Sequence, residues 1–155
     1  GHCYLLLPNT QQVRKTFNAF LEKINQWYMQ WFQVSLYIAG GYVECSCNQL
    51  HNVPNGSYSE LFKTMSSMIS ERKSRRYSAN DIRMLNHTEL KVYDRECNVC
   101  KRIGHVNEEG RCEVCEAIER FSNNVLRAQI FTVTLDTQLD GLPLPGGYKL
   151  ITDTE

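Results

Sequence analysis

The sequence predicts an α+β fold, on three observations. Between residues 13 and 31 apolar side chains recur at threes and fours, the period of one long helix. Residues 3–7, 33–47 and 129–135 run apolar or alternate with a period of two, as strands do. Two Cys-x-x-Cys pairs, Cys97/Cys100 and Cys112/Cys115, are separated by eleven residues of polar loop, and that spacing points to a small metal-clipped module.

Cys3-Tyr4-Leu5-Leu6-Leu7 reads as a buried strand, and a chain that opens inside a strand is expected to belong to a longer polypeptide. Pro8-Asn9-Thr10 turns the chain into the main helix, with Asn9 and Gln12 in capping-box positions. Val13, Phe17, Phe20, Leu21, Ile24, Trp27, Tyr28 and Trp31 form its stripe. An aromatic stripe can serve as a nucleobase platform, but spacing this regular indicates core packing. Val34, Leu36 and Ile38 then alternate against Ser35 and Tyr37, and Tyr42 to Cys47 resumes the extended pattern after Gly40-Gly41. A double glycine admits close approach of a ligand; a bulge or bend is the expected reading here. Cys3, Cys45 and Cys47 lack a partner knuckle and read as small buried residues.

After a loop over 52–57, a second helix is expected, with Ser57 and Glu60 as its capping box. Tyr58, Leu61, Phe62, Met65, Met68 and Ile69 form its apolar face. Its end is basic, with Arg72, Lys73, Arg75 and Arg76 within five residues. Cations at a helix C-terminus suit the macrodipole; the same cluster suits phosphate contact, and both readings stand. Residues 79–92 predict a short helix around Ile82–Leu85 and a short strand. Val114, Ala117, Ile118, Phe121, Val125 and Leu126 predict a helix leaving the cysteine loop. Gln129–Leu135 and Tyr148–Ile151 are expected to pair as a hairpin across a turn over 136–147.

The loop from Lys101 to Arg111 is too poor in apolar residues to be closed by burial, and Gly104 and Gly110 suit tight reversals. Four thiolates, Cys97, Cys100, Cys112 and Cys115, make the tetrahedral soft-ligand set that zinc prefers, in a closed structural site with no open position for water. His105 lies between the pairs and could replace a thiolate, but four cysteines already fill the site. A redox dithiol needs one Cys-x-x-Cys on a thioredoxin-like strand-to-helix turn. Disulfides are disfavoured by the odd count of seven cysteines and the absence of a signal peptide.

At 155 residues there is room for one ordinary domain, or a smaller one with a metal-clipped insertion. Seventeen acidic and seventeen basic residues balance, so any nucleic-acid contact must be local. No apolar run approaches a membrane span, so no membrane partner is expected. Reduced cysteines and a metal site point to the cytoplasm. The Asn55-Gly56-Ser57 and Asn86-His87-Thr88 sequons read as chance matches without a secretory context.

The order strand, long helix, strand, helix is the later part of a ferredoxin-like β-α-β-β-α-β unit, in which a further strand lies between those flanking the long helix. Cys3-Tyr-Leu-Leu-Leu-Pro-Asn-Thr10, Tyr58-Ser-Glu-Leu-Phe-Lys63, Lys73-Ser-Arg-Arg-Tyr-Ser78, Asp94-Arg-Glu-Cys-Asn-Val-Cys100 with Cys112-Glu-Val-Cys-Glu116, and Gly141-Leu-Pro-Leu-Pro145 occur in one order. Together they resemble the large polymerase-like signature subunit of type III-A (Csm) CRISPR effector complexes. The resemblance covers nearly the whole chain. It implies a multidomain protein with an HD nuclease domain, two palms, a zinc segment between them and a helical C-terminal domain.

Such subunits cleave single-stranded DNA and join ATP into cyclic oligoadenylates when the guide RNA pairs with a target transcript. The implied partners are the other Csm subunits and, through the complex, CRISPR RNA and target RNA. The implied fold is a partial ferredoxin-like (palm, GGDEF-like) half-domain with a four-cysteine zinc module and a C-terminal β-hairpin. Residues 1–78 would be the later part of a degenerate palm, 79–127 a linker and zinc-binding module, and 128–155 a hairpin leading into a second palm.

The departures limit what this stretch does. None of His2, His51, His87 and His105 is followed by Asp, as nuclease metal binding requires. Cyclase chemistry needs Gly-Gly-Asp-Asp to hold two metal ions. Gly40-Gly41 is followed by Tyr42-Val43, Gly146-Gly147 by Tyr148-Lys149, and Gly1-His2-Cys3 carries no acid before the long helix. A degenerate palm acting as scaffold is therefore expected, with ATP and divalent metals belonging only to the full-length subunit. The alternative is a free-standing zinc-ribbon module that binds nucleic acid or protein.

Overall fold

The computed structural model describes residues 1–86, 94–136 and 138–153. The chain forms two compact units, Gly1–Asn86 and His87–Glu155. Helices and small sheets are both present, as the α+β reading requires.

The first unit is built on α1 (Gln11–Phe32). Its cap is Thr10, one residue beyond the expected Asn9. The Thr10 hydroxyl accepts from the Val13 N–H at 3.2 Å. Asn9 instead turns its carbonyl oxygen to the Arg14 guanidinium, which also pairs with Glu44 at 2.7 Å. The buried face of α1 runs through Leu21 and Met29, with half-buried Asn25 between them, whereas Phe20 is 55% exposed. Trp27, Tyr28, Trp31 and Phe32 pack on one another near the helix end, with ring centroids 5.4–6.1 Å apart. They form a half-buried aromatic cluster, and the expected stripe reaches full burial only at Leu21.

A short helix, α2 (Cys47–Leu50), carries a complete capping box between Ser46 and Gln49. The next helix, α3 (Ser57–Ser74), starts from Gly56 in the left-handed region rather than from a Ser57 cap. The expected Ser57–Glu60 box is replaced by Asn52, whose side-chain oxygen accepts from Gly56 N–H at 2.8 Å and Tyr58 N–H at 3.2 Å. The apolar face of α3 centres on buried Leu61, and Phe62 meets Tyr4 and Tyr58 at 5.4 and 4.7 Å. Helix α4 (Ala79–Asn86) falls where the short helix was predicted, with Ser78 and Asp81 exchanging side-chain and backbone hydrogen bonds. The strand expected after it lies outside the described residues.

The strands expected over 3–7 and 33–47 do not form. Among the described residues of the first unit no ladder pairs, and Leu5 and Leu6 are 69% and 77% exposed. Alternation reports a face to be buried; a strand also needs a neighbouring edge. Asn25 partly fills that role. Its amide donates to the Ile38 carbonyl at 3.0 Å, and its carbonyl accepts from the Ile38 N–H at 2.9 Å. With no ladder over this stretch, the Gly40-Gly41 pair is not a bulge. A Cβ on Gly40 would lie 2.5 Å from Leu21 of α1, and one on Gly41 would lie 2.6 Å from Met68 of α3. The segment passes both helices closely enough that a side chain at either glycine would displace Leu21 or Met68.

In the second unit, β1 (Arg95–Glu96) pairs antiparallel with β2 (Ile103–Gly104), so Gly104 is strand and not a reversal. Helix α5 (Glu113–Val125) begins within the second cysteine pair and packs on a three-stranded sheet. That sheet has the order β3 (Ile130–Thr134), β5 (Lys149–Asp153), β4 (Leu142–Pro143). The expected hairpin is present, with Ile130 opposite Asp153 and Thr134 opposite Lys149. The segment read as a turn contributes the third strand, β4, which pairs Leu142 with Leu150.

Candidate metal centre

The two Cys-x-x-Cys pairs are brought together by backbone hydrogen bonds that begin in β1 and β2. Cys97 follows β1 directly, and its N–H donates to the Arg102 carbonyl at 2.8 Å. The Lys101 N–H donates back to the Cys97 carbonyl at 3.0 Å, and Lys101 takes a φ of 61°, closing the first knuckle. Asn98 N–H reaches the Gly110 carbonyl at 2.8 Å, and its side chain reaches the Glu109 carbonyl at 3.1 Å. Gly110 makes this possible: its φ is +76°, and a Cβ there would fall 2.2 Å from the Asn98 amide. Asn107 holds the second turn, accepting on its side-chain oxygen from Glu109 and Arg111 N–H at 3.1 and 2.9 Å.

Cys112 caps α5 and Cys115 lies in its first turn, so the helix start aims the second pair at the first. The four sulfurs of Cys97, Cys100, Cys112 and Cys115 lie within 4.8 Å of one another. Cys100 and Cys112 are 3.6 Å apart, far beyond disulfide bonding and near the roughly 3.8 Å edge of a tetrahedron with ~2.3 Å metal–sulfur bonds. All four are free thiols, and Cys97 is fully buried. The donor set and its spacing could hold a metal ion. Val106 and Val114, each 6% exposed, supply the only buried aliphatic side chains of this unit among the described residues.

The electrostatics favour the thiolate at Cys97 and Cys100. Burial pushes the Cys97 thiol up, but hydrogen bonds from the Cys100, Cys112 and Val99 backbones outweigh it and bring it down to about 6. The Cys112 N–H lies 3.3 Å from that sulfur. Burial also opposes ionisation of Cys100, and the Arg102 guanidinium outweighs it, lowering that thiol. Burial and the crowding sulfurs push Cys115 up. A bound cation would displace the protons of its cysteine ligands.

Of the remaining candidates, His105 is exposed. Cys3 and Cys47 are exposed and Cys45 is half-buried, so the expectation that these three are buried fails for want of a paired sheet to cover them. Arg72, Lys73, Arg75 and Arg76 are all exposed at the end of α3. Arg75 pairs with Glu71 at 3.2 Å, and Arg76 Nε donates to the Lys73 carbonyl at 3.1 Å.

The family model for the Csm1 subunit domain B matches residues 1–88. Over 156 aligned residues, spanning 100% of this chain, it is 34% identical to an Enterococcus italicus protein named CRISPR system single-strand-specific deoxyribonuclease Cas10/Csm1 (subtype III-A). The chain belongs to the Cas10/Csm1 family. A Mycobacterium tuberculosis protein of the same name is 35% identical over 97% of this chain, and one from Streptococcus thermophilus 28% identical over 93%. The chain spans about a fifth of the length of these relatives.

One residue of this Cas10/Csm1 chain went unread in the sequence. Arg102 donates through Nε to Cys100 Sγ at 3.3 Å and through Nη2 to Cys112 Sγ at 3.5 Å. The readable signal was a cation two residues beyond a knuckle. No described helix is long and apolar enough to cross a membrane.

Proposed function

We propose that this region is a scaffold within a type III-A CRISPR effector subunit, pinned by a structural zinc ion on Cys97, Cys100, Cys112 and Cys115. Residues 1–78 form the later part of a degenerate palm, 79–127 the linker and zinc module, and 128–155 the hairpin entering a second palm. The deoxyribonuclease activity named for the relatives, and cyclic oligoadenylate synthesis from ATP and divalent metals, belong to other parts of the full-length polypeptide. Arg72, Lys73, Arg75 and Arg76 touch CRISPR RNA, target RNA or a neighbouring Csm subunit in the cytoplasm. The observation that carries the scaffold reading is a four-sulfur cluster within 4.8 Å, in a chain whose Gly-Gly pairs are followed by Tyr42-Val43 and Tyr148-Lys149 in place of two acids. A free-standing zinc module is the weaker reading, because each relative carries this stretch as about a fifth of its length.

The test is to assemble the effector with a Cys97→Ser/Cys112→Ser subunit and measure bound zinc and subunit incorporation together. One zinc lost per subunit with failed incorporation is expected. A wild-type region free of metal yet fully ordered would overturn the reading.

A further inference from the structure

We propose that Arg102 is a positioning residue for the four-cysteine centre: its guanidinium clamps one sulfur from each knuckle and neutralises part of the charge that four thiolates leave on a bound dication. This deepens the metal reading above and depends on it. Four thiolates around a divalent cation form a net dianion, and here Cys97 is buried and the other three half-buried. Such a charge needs donors and a counter-charge close by. Arg102 supplies both. Its two N–H···S contacts, 3.3 Å to Cys100 and 3.5 Å to Cys112, bridge the knuckles. Its carbonyl holds the Cys97 N–H at 2.8 Å, so one residue touches three of the four cysteines. The planar fork of guanidinium reaches two sulfurs at once, which an ammonium cannot do in the same plane. The main-chain contact survives any substitution, so the side-chain role can be tested with the knuckle intact.

The experiment uses the 155-residue chain loaded with zinc, and with cobalt(II) as a spectroscopic substitute. Zinc affinity is read by competition with a chromophoric chelator. Arg102→Met keeps the apolar stem and removes the donors. It is expected to weaken zinc binding by roughly 10–100-fold, the usual loss for an outer-shell partner. Removing N–H···S bonds returns electron density to sulfur, so the thiolate-to-cobalt charge-transfer band should move to lower energy. Arg102→Lys should restore part of the affinity but not the band, and Arg127→Met, beyond the end of α5, should change neither. Wild-type affinity and an unshifted band in Arg102→Met would overturn the assignment of Arg102 while leaving the metal site standing. A wild-type chain that takes up neither metal would overturn both. Should Arg102→Met lose its secondary structure at saturating zinc, Arg102→Lys decides: a wild-type band in that variant overturns the proposal.

Discussion

Withdrawing the metal should open the second unit and leave the first intact. Its buried aliphatic side chains among the described residues are Val106 and Val114. At ~1.5–3 kcal/mol for each fully buried valine, they supply about 3–6 kcal/mol. A structural zinc contributes on the order of 10–16 kcal/mol, against a total domain stability of ~5–15 kcal/mol. The metal term is therefore larger than the apolar term by a factor of about three. Once it is gone, nothing of comparable size holds residues 94–125 closed. The assay is a chelator titration read in three ways at once. Released zinc is followed with a colorimetric dye, trypsin cleavage at Lys101, Arg102 and Arg111 is mapped by mass spectrometry, and tryptophan fluorescence is recorded. Both tryptophans, Trp27 and Trp31, lie in α1, so their emission reports the first unit alone. Zinc release should coincide with cleavage while the fluorescence stays constant. Full zinc release with trypsin protection unchanged at those three sites would show that the metal does not hold this unit closed.

Gly40→Ala puts a methyl 2.5 Å from the Leu21 side chain and should cost roughly 1–3 kcal/mol, read as a fall in Tm of the first unit with the zinc content unchanged. Arg75→Glu/Arg76→Glu should weaken RNA or complex binding, measured by titration at two salt concentrations. The fold should hold, because the exposed Arg75–Glu71 pair is worth at most about 1 kcal/mol. Equal binding by the variant would remove the basic patch from the interface.

What the sequence disclosed was whatever depends on neighbours along the chain. Cysteine spacing is local, and the four sulfurs converge as expected. Helical periodicity is local, and α1, α3, α4 and α5 fall where it placed them. The hairpin of β3 and β5 was legible because an alternating run over 129–135 meets a second extended run after a Pro/Gly turn, yet β4 was not, since Leu142–Pro143 is too short to show a period. Caps slipped because several residues compete for each helix start: Thr10 outcompetes Asn9, and Asn52, five residues upstream of Ser57, satisfies the start of α3. The expected strands over 3–7 and 33–47 do not form, because pairing depends on a distant partner that no local pattern encodes. The buried stripe of α1 was displaced for a related reason. Its centre between Leu21 and Met29 is the polar Asn25, which a hydrophobicity reading skips.

Asn25 takes the place of a strand edge beside Ile38. The side chain satisfies both main-chain groups of Ile38, at 2.9 and 3.0 Å, in a half-buried setting. An amide has one acceptor and one donor arm for this task; a carboxylate has only acceptors. Asn25→Asp therefore keeps the bond from the Ile38 N–H but turns a carboxylate oxygen toward the Ile38 carbonyl. The cost is an unsatisfied carbonyl plus electrostatic repulsion, about 1–3 kcal/mol at neutral pH. For a unit of this size that corresponds to a Tm lowered by roughly 4–20 °C. Protonation restores a donor, so the folded state raises the pKa of the introduced acid above its unfolded value. A group raised in this way stabilises below its unfolded pKa and ceases to do so as pH rises through the folded one. The deficit of the variant should thus shrink as pH falls through the carboxylate range, while Asn25→Leu, with no titrating group, shows a deficit independent of pH. A constant deficit in Asn25→Asp from neutral to acid pH would mean that Asn25 does not stand in for a strand edge.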